Sequence, residues 1–231
     1  MTNEPAPAGL SGSELGKQRA GRFAAGFVES GMKVGLGTGS TVHHMMVALA
    51  EKSLDIACVA TSRRTEARAR ELGLRMITAD EAGRLEIAID GADEVDPMCH
   101  LVKGGGGAHT REKVVAEMAD KFVVVVDDSK LVEALGAFGL PVEVLDFAPG
   151  IASARLEALG AEMVTVLPER SDGGNVLLRV MFEVIEDPAE LAASIKAIPG
   201  VVEHGLFLNW CVARVIVGTS EGQVRQIFPP H

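Results

Sequence analysis

The chain has no long apolar run. No stretch approaches the ~20 residues needed to cross a bilayer, so no membrane-spanning helix is expected. The opening MTNEPAPAGLSGSELGKQ has no basic start and no apolar core, so it does not read as a signal peptide. Cysteine is scarce. Cys58, Cys99 and Cys211 are isolated and odd in number, which suits free thiols in a reducing cytoplasm. Positive charge is in deficit: 22 Lys and Arg stand against 32 Asp and Glu, a formal net charge of −10. That balance argues against a general nucleic-acid binder, so an anionic ligand must be met locally, by amides and a Lys. The six histidines, at 43, 44, 100, 109, 204 and 231, include no pair at the i,i+4 spacing of a helical zinc site. The acids lack the regular spacing of a calcium loop, although a carboxylate-held magnesium stays open as a rival use of them. No internal repeat is present.

What is present is 231 residues, 47% of them hydrophobic, enough for one large domain or two small ones. Residues 1–12 read as a loose tail. Helix is predicted at about 13–30, with Ser13 as its cap. Strands at 32–36, 55–60, 74–78, 85–90 and 122–127 then alternate with helices at 40–52, 65–73 and 110–119, the last capped by Thr110. Short, almost wholly apolar strands between helices indicate a parallel sheet covered on both faces. After Pro141 the order becomes β-α-β-β-α-β, the split βαβ pattern of a small α+β domain. VARVIVGT, 212–219, looks like one more strand, returning to the first sheet.

Three stretches carry chemistry. In VGLGTGST, 34–41, a strand runs into a glycine turn and a helix, which presents amides at a helix N-terminus and suits phosphate. As a dinucleotide fingerprint it is imperfect. Ser40 stands where the third glycine belongs, and no acid ends the second strand, since Asp55 sits at its start. In KGGGGAHTREK, 103–113, four consecutive glycines make sense where backbone approaches a ligand closely, and Glu112 lies in the first turn of the following helix. In IAIDGADEVD, 87–96, Asp90, Asp93, Glu94 and Asp96 fall within seven residues. Asp90 lies at a strand's carboxyl end, where open α/β sheets bind ligands. Glu94 and Asp96 read as a solvated acidic turn.

Together GLGTGST, DGADE and KGGGGAHTREK, with VVVVDDSK (123–130), LPVEV (140–144) and AIPGVVEHGLF (197–207), resemble the type A ribose-5-phosphate isomerases. The resemblance covers most of 13–218. It implies an α/β fold: a Rossmann-like parallel sheet domain covered by helices (13–137 plus 208–231) and a smaller ferredoxin-like α+β domain (138–207). It implies interconversion of D-ribose 5-phosphate and D-ribulose 5-phosphate in the cytoplasm with no cofactor and no metal, by a homodimer or homotetramer with no nucleic-acid or membrane partner. By position, Glu112 matches the base that carries the proton between C2 and C1, and Asp90 the acid/base for ring opening and the oxygens. Asp93 and Lys103 match the groups that hold the substrate oxygens and balance enediolate charge. Thr38, Gly39, Ser40, Thr41, Gly91, Ala92, Gly104, Gly105, Gly106 and Lys130 would hold the sugar and phosphate. Crowding among the carboxylates would raise a pKa toward neutrality.

The chain departs from that pattern at Arg63 and Arg64, Gly107 and His109, Arg179, and Val212-Ala213 beside Trp210. Two other functions fit parts of the pattern. One is a sugar-phosphate sensor, which would bind without turnover. The other is a nucleotide-dependent enzyme, which the missing acid weakens.

Overall fold

A computed structural model describes residues 12–230; the expected loose tail lies, but for Gly12, outside the described residues. In chain order the elements are α1 (Ser13–Ala24), β1 (Lys33–Leu36), α2 (Ser40–Lys52), β2 (Ala57–Ala60), α3 (Arg63–Glu71), α4 (Ala79–Ala82), β3 (Ile87–Asp90), β4 (Glu94–Val95), β5 (Leu101–Val102), α5 (His109–Glu117) and β6 (Phe122–Asp127). They continue with β7 (Leu140–Val144), α6 (Pro149–Ala158), β8 (Met163–Arg170), β9 (Val176–Met181), α7 (Pro188–Lys196), β10 (Val201–His204), β11 (Leu206–Phe207), β12 (Val212–Gly218) and β13 (Val224–Ile227).

Six strands form one sheet in the order β13-β12-β6-β3-β1-β2. All its neighbours pair in parallel except the β12–β13 hairpin. Every residue of β6 is buried, as its FVVVVD run requires, because both faces of a parallel sheet are covered. One face packs Ala20, Val42, Met45 and Leu49 of α1 and α2. The other packs Val115 and Ala116 of α5, with Phe207. The second sheet, β10-β7-β9-β8, is antiparallel throughout, and α6 and α7 supply Ala152, Leu156, Ala192 and Ile195 to its core. The chain thus runs β-α-β-β-α-β through it and returns β12 to the first sheet beside β6, as the sequence indicates.

Several local expectations fail. The strand read at 74–78 makes only a single bridge, Met76 to Cys58. The first helix stops at Ala24 and tightens into a 3-10 turn at 25–27. Ser13 lies inside it, and Gly12 at the N-cap makes no side-chain bond. Thr110 does not cap α5, because the helix begins one residue earlier. GVVEHGLF is not one strand. It breaks at Gly205 into β10 and β11, and β11 joins β5 and β4 in a third, three-stranded sheet. That sheet overturns the reading of Glu94 as a solvated acid. Glu94 is 3% exposed and accepts hydrogen bonds from the Gly136 and Phe138 amides at 2.8 and 2.7 Å. Asp96 does hold a turn, accepting from the His100 amide at 2.7 Å.

Candidate active site

β1 and β3 are parallel neighbours, so the loops after both leave the same sheet edge. β1 gives way to the Gly37–Gly39 turn, and β3 ends on Asp90. The two loops interlock. A Cβ on Gly37 would stand 2.0 Å from Asp90 Oδ1, so only glycine lets the turn pass over the carboxylate. Asp90 Oδ1 accepts from the Thr38 and Gly91 amides at 2.9 and 2.7 Å. Its other oxygen faces Lys103.

Lys103 follows β5 directly, and its amide donates to the Gly205 carbonyl at 2.8 Å. The three-stranded sheet therefore aims it. Its Nζ donates to the Gly91 carbonyl at 2.6 Å and lies 3.0 Å from Asp90 Oδ2 and 3.2 Å from Glu112 Oε2. All three side chains are buried, at 2–4% exposure. Both facing carboxylate oxygens lack a formed hydrogen bond. They are the two atoms a ligand hydroxyl or proton would satisfy. Asp93 faces the glycine loop and accepts from the Gly105 amide at 2.8 Å.

One cation between two buried carboxylates cannot neutralise both. Burial pushes Asp90 upward against the pull of Lys103 and two backbone amides. Burial also pushes Glu112 up, to about 8, with Asp90 and Asp93 adding and Lys103 opposing. Desolvation is thus the leading cause, and the carboxylate crowding expected from the sequence is secondary. Burial works against the Lys103 charge, but Asp90 and Glu112 outweigh it and hold that pKa above its ordinary value. Near neutral pH the cluster therefore keeps a charged Lys and a carboxyl poised to exchange a proton.

A cleft of about 200 Å³ opens on this cluster. Thr38, Gly39, Ser40, Thr41, Gly91, Ala92, Asp93, Lys103, Gly104, Gly105, Gly106, Glu112 and Lys130 all line it, so thirteen of the fourteen residues singled out in the sequence meet there. Asp90 is the fourteenth, lying behind Gly37. Thr38 lines the cleft, but its amide is already donated to Asp90 and its hydroxyl is taken up by Thr61, Ser62 and Thr65 at 2.9–3.0 Å. α2 has no side-chain cap, which leaves the amides of its first turn free for an anion. Lys17 of α1 also lines the cleft. Sequence reasoning missed it, because it lies in an ordinary helix remote from every motif. Arg64 lines the cleft and Arg63 does not; the Arg63 amide instead donates to Asp172 at 2.7 Å.

The end of β2 carries Thr61 and Ser62, whose hydroxyls meet Thr38, where a dinucleotide site would need a carboxylate for the ribose. Among the described residues, no group of three or more His, Cys, Asp or Glu side chains is arranged to hold a metal ion.

The model of ribose 5-phosphate isomerase A (phosphoriboisomerase A) matches residues 57–222. The ribose-5-phosphate isomerase A of Thermomicrobium roseum is 49% identical over 221 residues, covering 91% of this chain and 93% of its own. The chain belongs to the ribose-5-phosphate isomerase A family. Solved structures of the family share its fold. The ribose 5-phosphate isomerase A of Methanocaldococcus jannaschii is 38% identical with a TM-score of 0.86, covering 92% of this chain and 97% of its own. A D-ribose-5-phosphate isomerase in complex with phospho-erythronic acid is 34% identical with a TM-score of 0.90, covering 95% of this chain and all of its own.

Proposed function

We propose that this chain interconverts D-ribose 5-phosphate and D-ribulose 5-phosphate, with Glu112 as the base. The observation that carries the reading is the buried trio of Asp90, Lys103 and Glu112, of which Lys103 and Glu112 line a cleft whose wall is an uncapped helix N-terminus, with Asp90 directly behind them. The α2 amides with Ser40, Thr41, Lys17 and Lys130 receive the phosphate, and the glycine loop with Asp93 receives the sugar hydroxyls. Asp90 assists ring opening. Glu112 then removes the C2 proton and returns it to C1. A second proton passes from O2 to O1 through Asp90, so atoms balance with no redox partner. Lys103 stabilises the enediolate between the two transfers. The relative that holds phospho-erythronic acid supports the same reading, since that ligand is a phosphorylated sugar acid.

The test is ketose formation from D-ribose 5-phosphate in excess EDTA, wild type against Glu112→Gln. Wild type is expected to turn over, and the variant to lose at least ~100-fold in kcat, a typical general-base contribution. Binding without turnover by wild type would instead mark a sensor. The same proposal places the enzyme in the cytoplasm as a homodimer or homotetramer, for which sedimentation is the check. It also divides the chain into a catalytic unit (13–137 plus 208–231) and a small unit (138–207).

A further inference from the structure

α5 carries Glu112 in its first turn, yet that turn has no side-chain cap of its own. It is tied instead to the four-stranded sheet. The Thr110 hydroxyl donates a short hydrogen bond to Glu143 Oε2, in β7. Glu143 is 3% exposed, and its other oxygen accepts from Ser171 Oγ at 2.6 Å and Asn175 Nδ2 at 2.7 Å. One turn along α5, Lys113 Nζ donates to Glu203 Oε1 at 2.8 Å and to the His204 carbonyl at 2.7 Å, both in β10. Between them sits His109, fully buried, with Nε2 3.3 Å from the Glu203 carbonyl. Burial holds its pKa down to about 4, so the ring is neutral and Nε2–H is the donor. The His109 ring also packs on Gly104: a Cβ there would lie 2.6 Å from His109 Cβ, and Gly104 has φ +99°.

Glu143 is an unusual choice for a merely structural contact. Among the described residues no cation forms a salt bridge with it, and burying a carboxylate costs more than burying an amide. What a carboxylate offers is two oxygens that only accept. Here three donors converge on them: one from α5 and two from the 171–175 turn of the small sheet. A glutamine would turn a donor NH2 toward one of those groups. The negative charge also sits beside the N-terminal turn of α5, where the helix dipole favours it.

We propose that Glu143, acting through Thr110, is a positioning residue for the reaction: it fixes α5 so that the small sheet sets where the Glu112 carboxylate stands over the cleft. This rests on the reading of Glu112 as the base. The phosphate is gripped by α2, Lys17 and Lys130, none of which touches this contact. Substrate binding and base placement are thus held by different parts of the molecule, and they should separate kinetically.

The experiment measures kcat, KM and Tm for wild type, Thr110→Val, Thr110→Ser, Glu143→Gln and Glu112→Gln. Thr110→Val and Glu143→Gln are expected to lose about 10- to 100-fold in kcat, the scale of a misplaced catalytic group, with KM nearly unchanged. Thr110→Ser, which keeps the hydroxyl, is expected to restore most of the rate. A folded Thr110→Val enzyme with wild-type kcat overturns the proposal, as does a loss that Thr110→Ser does not rescue. If Thr110→Val fails to fold, Glu143→Gln decides in the same way. Glu112→Gln separates the two failures. If it stays active, the base assignment falls and the positioning role with it. If it is inactive beside a fully active Thr110→Val, the positioning role alone falls.

Discussion

As the base proposed above, Glu112 would have to be charged to take a proton from carbon, yet it lies 4% exposed beside another buried acid. Its pKa near 8 is the consequence, and it dictates a pH profile. As pH falls below that value the base becomes protonated, and kcat/KM should fall about tenfold per pH unit. The acid limb should therefore bend near pH 8, far above the ordinary carboxylate range; a flat rate from pH 5 to 9 would sink the assignment. That Glu112 belongs to the cleft is legible from TREK, but the reason for its raised pKa is not. Four acids in seven residues suggested crowding, whereas burial is the larger cause, and burial depends on β5 and α5 closing over the site from elsewhere in the chain. The same distance hid Lys17. Glu94 misled in the opposite direction. Spacing cannot tell a solvated acid from one whose partners, Gly136 and Phe138, lie more than forty residues away.

At the scale of elements, the three-stranded sheet of β4, β5 and β11 is small, but it aims Lys103. Glu94 anchors it to the 136–138 segment. Removing that carboxylate leaves two amides without their acceptor, at ~1–3 kcal/mol for each unsatisfied group that stays buried. Glu94→Ala should lower the denaturant midpoint accordingly, while a folded preparation keeps its KM, because no phosphate contact is touched; an unchanged midpoint would refute the anchoring role. Such two-residue strands have no periodicity to read. The elements that were legible are those whose local signal agrees with their environment. α2 spans 40–52 as the sequence indicates, and β6 spans 122–127, an apolar run covered on both faces. The segment 74–78 carries strand-like residues but finds only a one-residue bridge at the edge of β2. β13 carries no core-strand signal because its two inner residues are exposed and only its ends are half-buried, as in the outer arm of a hairpin.

For the whole molecule, the contact between α5 and the small sheet is also an acid-sensitive joint. Burial lowers the His109 and His204 pKa values to about 4 and about 3, and Lys113 and Lys196 outweigh burial to hold Glu203 down to about 2. In each case the unfolded chain binds the proton more readily than the folded one. The histidine contribution is therefore fully present above the ordinary His value and is lost as pH falls from about 6.5 toward 4 and 3. The Glu203 contribution is lost lower still, from 4.5 toward 2. Thermal unfolding followed from pH 7 to 3 should show Tm falling in that range, and Glu203→Gln should flatten its lower part; a Tm that holds constant would count against the joint.

The return of β12 to β6 also governs how the protein is made. β6 is complete at Asp127 with β3 already available on one side, but its parallel neighbour on the other side does not begin until Val212, some 85 residues later. At translation rates of ~5–20 residues per second, the FVVVVD edge waits roughly 4–17 s on the ribosome before its partner exists. Throughout that wait it offers unpaired amides and valines to any passing strand. The nascent chain therefore spends its most vulnerable seconds with the heart of the catalytic sheet open, and the small sheet is synthesised, and free to fold, entirely within that interval.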